Sequence, residues 1–272
     1  MYVRRQLNLE HEAIVMVVLS LTAFLLAVGL LYSPAAQAQQ ADKSPDNGTD
    51  PSRLSTTVAG SWEYADLNNE ISIGLFDFSF TQPFTEKKDY SVRAKLPVMR
   101  VDFPGAGGYG IGDFSIKLTH VANLTQRYAL VVGAEMVFDT AARPELGSGH
   151  NVAKVNLIYA KFLQNGAIFA PAVVQSNSLW GDDARADVNN TVFDFYYVPK
   201  LSDPNYFVTV DPAVSLDWES DKRFASLGVT VGRVLGPAFG GRDQVYLKPT
   251  VYVGDDRPGG WGLELGYKVI GF

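Results

Sequence analysis

The chain has 272 residues, a formal net charge of −6 and no cysteine. Without cysteine there are no disulfides, no thiolate catalysis and no Cys-ligated zinc, and an acidic balance without a basic cluster speaks against nucleic acid as a partner. The length accommodates one large domain or two small ones.

Arg4 and Arg5 precede an apolar run from about Ala13 to Tyr32, and SPAAQAQQ follows. A basic start, an apolar middle and a small-residue cleavage site read as a secretory signal over residues 1–38, cut after Ala38. Left uncut, the run is long enough to anchor in a bilayer; the AQA site and the polar ADKSPDNGTDPS after it favour cleavage. Arg4, Arg5, Glu10 and Glu12 cancel, so the mature chain keeps the −6. Residues 39–53 read as a flexible lead, and 54–272 as the folded part.

From there the sequence alternates apolar and polar residues, the period of a strand with two unlike faces. In RYALVVGAEMVF, Tyr128, Leu130, Val132, Ala134, Met136 and Phe138 share one face, with Glu135 on the other. In YFVTVDPAVSLDW, Tyr206, Val208, Val210, Val214, Leu216 and Trp218 oppose Asp211 and Asp217. Strands are placed near 55–65, 70–82, 89–103, 111–122, 127–138, 151–162, 167–177, 191–199, 206–218, 223–234, 244–253 and 261–272. No segment of the mature chain carries a helical period, so the class is all-β.

Three features turn an all-β reading into a closed antiparallel transmembrane β-barrel of about 12 strands. The strands are longer than the five or six residues usual in globular sheets. Aromatic residues bracket the oily stripes, Tyr128 with Phe138 and Tyr206 with Trp218. Ten to twelve residues at about 3.3 Å rise, tilted by roughly 40°, span about 25–30 Å, close to the apolar band of an outer-membrane barrel between its aromatic girdles. Connections alternate between short ones (PFTEKK, NLTQ, QNGA, KLSDPN, GPAFGGRDQ) and longer ones (DTAARPELGSGH, SLWGDDARADVNN), as periplasmic turns and outer loops do. The expected location is the outer membrane of a Gram-negative bacterium, in contact with lipid and lipopolysaccharide.

The last strand, GWGLELGYKVIGF, is oily on odd positions to Val269, and Phe272 falls on the other parity. In hydrocarbon every backbone amide must be paired within the protein, so this strand is expected to close on the first. A terminal Phe resembles the signal read by the barrel-assembly machinery; a bulge near Ile270 would restore its phase.

GIGDFSIKL (110–118), FDTAARPELGSGH (138–150) and VDPAVSLDWESDKRFASLGVTVGRVLG (210–236) resemble the outer-membrane transporter family associated with phenol and other aromatic meta-pathway degradation. The resemblance covers roughly 70–272, with Asp139 standing where a Pro is usual. It implies a β-barrel and a transport role, without a defined solute.

Function is expected on the inward face. Taking the oily parity as lipid-facing, the lumen-lining candidates are Arg93, Lys95, Lys117, Glu135, Asp194, Asp211, Asp217, Lys248, Glu264 and Lys268, with Asp77 and Lys154 beside them. Signs nearly balance, so these charges read both as bracing ion pairs and as a ring that sorts permeants. Tyr196, Tyr246 and Tyr252 share the face and could offer aromatic solutes a track. Twelve strands fall between the filled eight-stranded barrels and the open sixteen-stranded ones. The expected function is passive passage of small solutes, aromatic or apolar ones included; the alternative is a non-conducting structural or surface-binding barrel.

No catalysis, cofactor or metal is expected. His120 and His150 sit in no hydrolase motif, although Ser148 is near His150 in sequence. GAGGYG (105–110) matches G-x-G-x-x-G by spelling but joins strands, and reads as a flexible turn. Asp182, Asp183, Asp187, Asp255 and Asp256 match no dedicated calcium loop.

Overall fold

The structure, a computed structural model, describes residues 47–104 and 106–272. The expected secretory signal and residues 39–46 lie outside them. Among the described residues thirteen strands run up and down: β1 (Thr57–Leu67), β2 (Ser72–Phe84), β3 (Tyr90–Phe103), β4 (Ala106–Ile111), β5 (Ser115–Leu124), β6 (Tyr128–Val137) and β7 (His150–Phe162). β8 (Ile168–Gly181), β9 (Asn189–Val198), β10 (Tyr206–Asp217), β11 (Lys222–Ala238), β12 (Gly241–Val253) and β13 (Gly259–Ile270) complete the series, with one short 3₁₀ turn at Pro144–Leu146.

Every neighbouring pair is antiparallel, and β13 pairs with β1 from Thr57↔Ile270 to Asp66↔Trp261, which closes the sheet. β4 and β5 follow one another along the same edge of β3: β4 opposes Val98–Phe103 and β5 opposes Tyr90–Lys95. Thirteen segments therefore occupy twelve positions around the barrel. The sequence reading of a single strand at 111–122, with 105–110 as a flexible turn, differs here. Residues 106–111 are paired strand, and the break falls at 112–114.

The alternation read from the sequence is the inside–outside alternation of the wall. Leu265 is 47% exposed while its neighbour Glu264 is 3% exposed. Phe76, Ile116, Leu118, Val155, Leu157, Leu247 and Val251 join Leu265 on the exposed face. Aromatic residues ring both ends of that face, with Phe84–Tyr90 and Tyr128–Tyr159 stacked at one end and Tyr64 against Trp261 at the other. An exterior this apolar is unstable against water and suited to lipid.

The end bearing the connections 85–89, 125–127, 163–167 and 239–240 is called the turn end; the other, with 138–149 and 182–188, is the loop end. At the turn end the chain leaves β13 through Gly271, whose φ of 77° suits glycine. Phe272 beyond it is 45% exposed, and neither pairing of β13 shifts register at Ile270.

Residues 47–56, partly read from sequence as a flexible lead, are seated inside the barrel. Leu54 is fully buried. Its cluster is built from inward side chains of five strands at the turn end, among them Val121, Ala129, Val131, Ile158, Ala160 and Ala170. A second apolar cluster lines the loop end of β1–β3 (Leu67, Ile73, Leu75, Met99, Val101) and is capped by Leu146 from the connection 138–149.

Candidate functional site: the barrel lumen

Between these two apolar zones lies a belt of charge, set by register. Arg93, Lys117, Glu135 and Lys154 stand directly opposite one another on β3, β5, β6 and β7. On the far side, Glu63, Glu264 and Lys248 form a second rung across β1, β13 and β12. Lys95 Nζ donates to Asp77 Oδ2 at 2.8 Å, joining the two rungs on one flank. Asp194 lies beside Asp211 on the other, and Lys248 Nζ reaches Asp211 Oδ2 at 2.6 Å. The wall from β3 to β7 is thus mainly cationic, and the wall from β9 round to β2 mainly acidic.

The pairs are buried. Arg93 Nη2 lies 3.5 Å from Glu135 Oε1, to which Ser115 Oγ also donates at 2.7 Å. Tyr246 OH donates to Glu264 Oε1 at 2.5 Å. Ions withdrawn from water are tolerable only when paired and hydrogen-bonded, and breaking such a pair costs about 3–5 kcal/mol. Space for these long side chains comes from glycines on neighbouring strands. Tyr246 lies over Gly266, opposite it in register, and a β-carbon at Gly266 would strike the Tyr246 ring.

Two lumen candidates sit away from the belt. Lys268, near the turn end, places its Nζ 5.4 Å from the centre of the Phe207 ring and 5.8 Å from that of Tyr246, a cation–π contact on each. Asp217 closes the turn after β10, accepting from Glu219 N at 3.0 Å and from Ser220 Oγ. The tyrosines do not form a free aromatic track either. Tyr246 is committed to Glu264, Tyr252 packs edge-on to Phe224, and Tyr196 OH donates to Thr49 O at 3.1 Å.

That last bond fixes the inner segment. Asn47 Oδ1 accepts from Thr49 N and Asp50 Oδ1 from Ser52 N, two side-chain turns that fold the segment compactly. Gly48 sits against Lys268 and Ile270 of β13, while Thr49 meets Tyr196 of β9 and Leu54 meets the wall of β5–β9. The segment therefore crosses the lumen near the turn end. The sequence alone does not show it, because asparagine, glycine, aspartate and proline so close together are as typical of a disordered tail as of a folded plug.

At the loop end the organising residue is Asp113, in the gap between β4 and β5. Oδ1 accepts from Thr140 N at 3.1 Å and Ala141 N at 3.0 Å, and Oδ2 accepts from Ser148 N at 2.9 Å. Burial pushes its carboxyl above the ordinary range, against the pull of those backbone donors. Arg185 Nη2 donates to Gly147 O at 2.7 Å and ties the connection 182–188 to the same loop. The signal for this clasp was present in GIGDFSIKL, but the partners of Asp113 lie 27 to 35 positions away. Ser148 and His150 are drawn into it without forming a nucleophile–base pair. Ser148 Oγ donates to the backbone oxygen of His150 at 2.9 Å and approaches Asp113 Oδ2, not the imidazole.

No protein-family model and no curated protein matches the sequence. Solved structures match in shape. The COG4313 outer membrane channel from Pseudomonas putida F1 aligns with a TM-score of 0.64 at 12% identity, over 79% of this chain and 95% of that one. The KdgM porin in complex with disordered oligogalacturonate gives 0.55 at 6%, over 78% and 98%. The NanC porin gives 0.54 at 8%, over 80% and 99%. At such identities the likeness is one of architecture: the chain has the fold of an outer-membrane β-barrel.

Proposed function

We propose that this chain is an outer-membrane channel for small solutes, plugged on its periplasmic side by its own residues 47–56. The observation that carries the reading is that the turn end is filled by a separate chain segment, not by wall side chains alone. A wall-filled barrel has no means of opening short of unfolding, whereas a short buried segment that takes no place in the sheet, seated by Leu54 and by the bond from Tyr196, can undock. Solutes with apolar or aromatic parts suit the apolar zones above and below the charged belt. The link to aromatic degradation rests on the sequence resemblance of residues 110–118, 138–150 and 210–236. The start of β1 and the end of β13 both lie at the turn end, which faces the periplasm in this reading, and Phe272 is exposed there, where the assembly machinery would meet it.

The test is conductance and solute uptake by the full chain in lipid bilayers, beside Leu54→Ala. The channel reading expects rare openings in the former and frequent ones in the latter. No conductance in either, with unchanged solute uptake by a deletion strain, refutes it. That outcome would favour the second reading, a non-conducting structural barrel, which the buried plug and the Asp113 clasp also accommodate.

A further inference from the structure

The cationic rung holds more donors than its own acceptors use. Arg93 and Lys117, directly opposed in register, are a like-charge pair, an arrangement that weakens a sheet unless an anion lies between. Glu135 stands in the same rung but is engaged by Arg93 and Ser115. Among the described residues no carboxylate oxygen lies within 4 Å of the ammonium of Lys117 or Lys154. Two further buried donors have no acceptor among the described residues: Arg93 Nε and Asn156 Nδ2. Asn156 is directly opposite Gly133, and a β-carbon at Gly133 would contact Asn156 and lie 3.0 Å from Lys117 Cε. Glycine at that place lets the two side chains converge over the backbone of β6, one residue pair below Glu135.

Buried donors without partners are costly and point to a ligand that supplies acceptors. We infer that Arg93, Lys117, Lys154 and Asn156 form a binding site for the carboxylate of a small monocarboxylic acid in mid-lumen. Two planar oxygens suit the guanidinium and amide edges, and the ammoniums supply charge. A dianion is disfavoured, because the facing wall carries Glu63, Glu264, Asp194 and Asp211. The inference rests on the reading of the lumen as the solute path and names the solute class.

The test titrates the full chain in detergent micelles with benzoate and with benzamide, its uncharged isostere, by calorimetry. Charge-assisted hydrogen bonds predict saturable benzoate binding at least about tenfold tighter than benzamide. Lys117→Met with Lys154→Met is expected to lower benzoate affinity to the benzamide level. Equal binding of the two by the unaltered chain, no benzoate binding, or displacement of benzoate by equimolar inorganic phosphate overturns the assignment; these readouts need no variant to fold. Liposome swelling by Leu54→Ala, in which the plug is released, with an uncharged sugar separates the two claims. Swelling without benzoate preference sinks the site and leaves the channel, while benzoate preference without swelling keeps the site and sinks the channel.

Discussion

Replacing Leu54 with alanine tests whether residues 47–56 are a plug that docks reversibly. The leucine is fully buried among side chains of β5–β9 that the barrel wall holds in place. A rigid wall collapses poorly around a void, so the cost falls in the range of about 2–5 kcal/mol found for buried Leu→Ala changes. That cost is borne by the docking equilibrium, because the strands pair without the plug. With tenfold per 1.4 kcal/mol, the docked-to-free ratio drops at least about thirtyfold. Hydrogen exchange reads this directly at Ser52, whose amide donates to Asp50 Oδ1, and at Arg53, whose amide donates to Asp50 O. Both should exchange faster by the same factor, while amides of the paired strands, such as Val131 and Leu265, should not change. Unchanged exchange at Ser52 and Arg53 would show that the segment is held by something other than the Leu54 cluster, and the plug argument would fall.

Asp113→Asn keeps the shape of the clasp but replaces one acceptor oxygen by a donor facing a backbone N–H. The connection 138–149 should lose about 1–3 kcal/mol of protection, seen as faster proteolysis there with an unchanged barrel unfolding midpoint. Lys248→Met leaves Asp211 without its 2.6 Å partner and should destabilise the barrel by about 3–5 kcal/mol in urea unfolding from lipid vesicles. Pairing it with Asp211→Leu should recover most of that loss. On the outer surface, Leu265→Arg puts a charge in the hydrocarbon and should cost about 2–4 kcal/mol, whereas the same change in a soluble sheet would be nearly neutral. A small Leu265→Arg effect would count against membrane immersion.

Alternation with period two, long strands and bracketing aromatics determined the class, the approximate strand count, the direction of each face and the closure of β13 on β1. These follow from chain-local geometry and from the demand that lipid-exposed amides be paired, so the residues themselves state them. Parity also put Arg93, Glu135, Asp211 and Lys248 inside. It could not say which charges meet. The pairing of Lys248 with Asp211, 37 positions apart, and of Arg93 with Glu135, 42 apart, depends on register between strands, which period two leaves open. The strand break at 112–114 and the grip of Asp113 on 138–149 were hidden for the same reason. The seating of residues 47–56 was the least legible. Its own sequence is that of a solvated tail, and what buries Leu54 is an apolar patch assembled from five strands that come together only when the barrel closes.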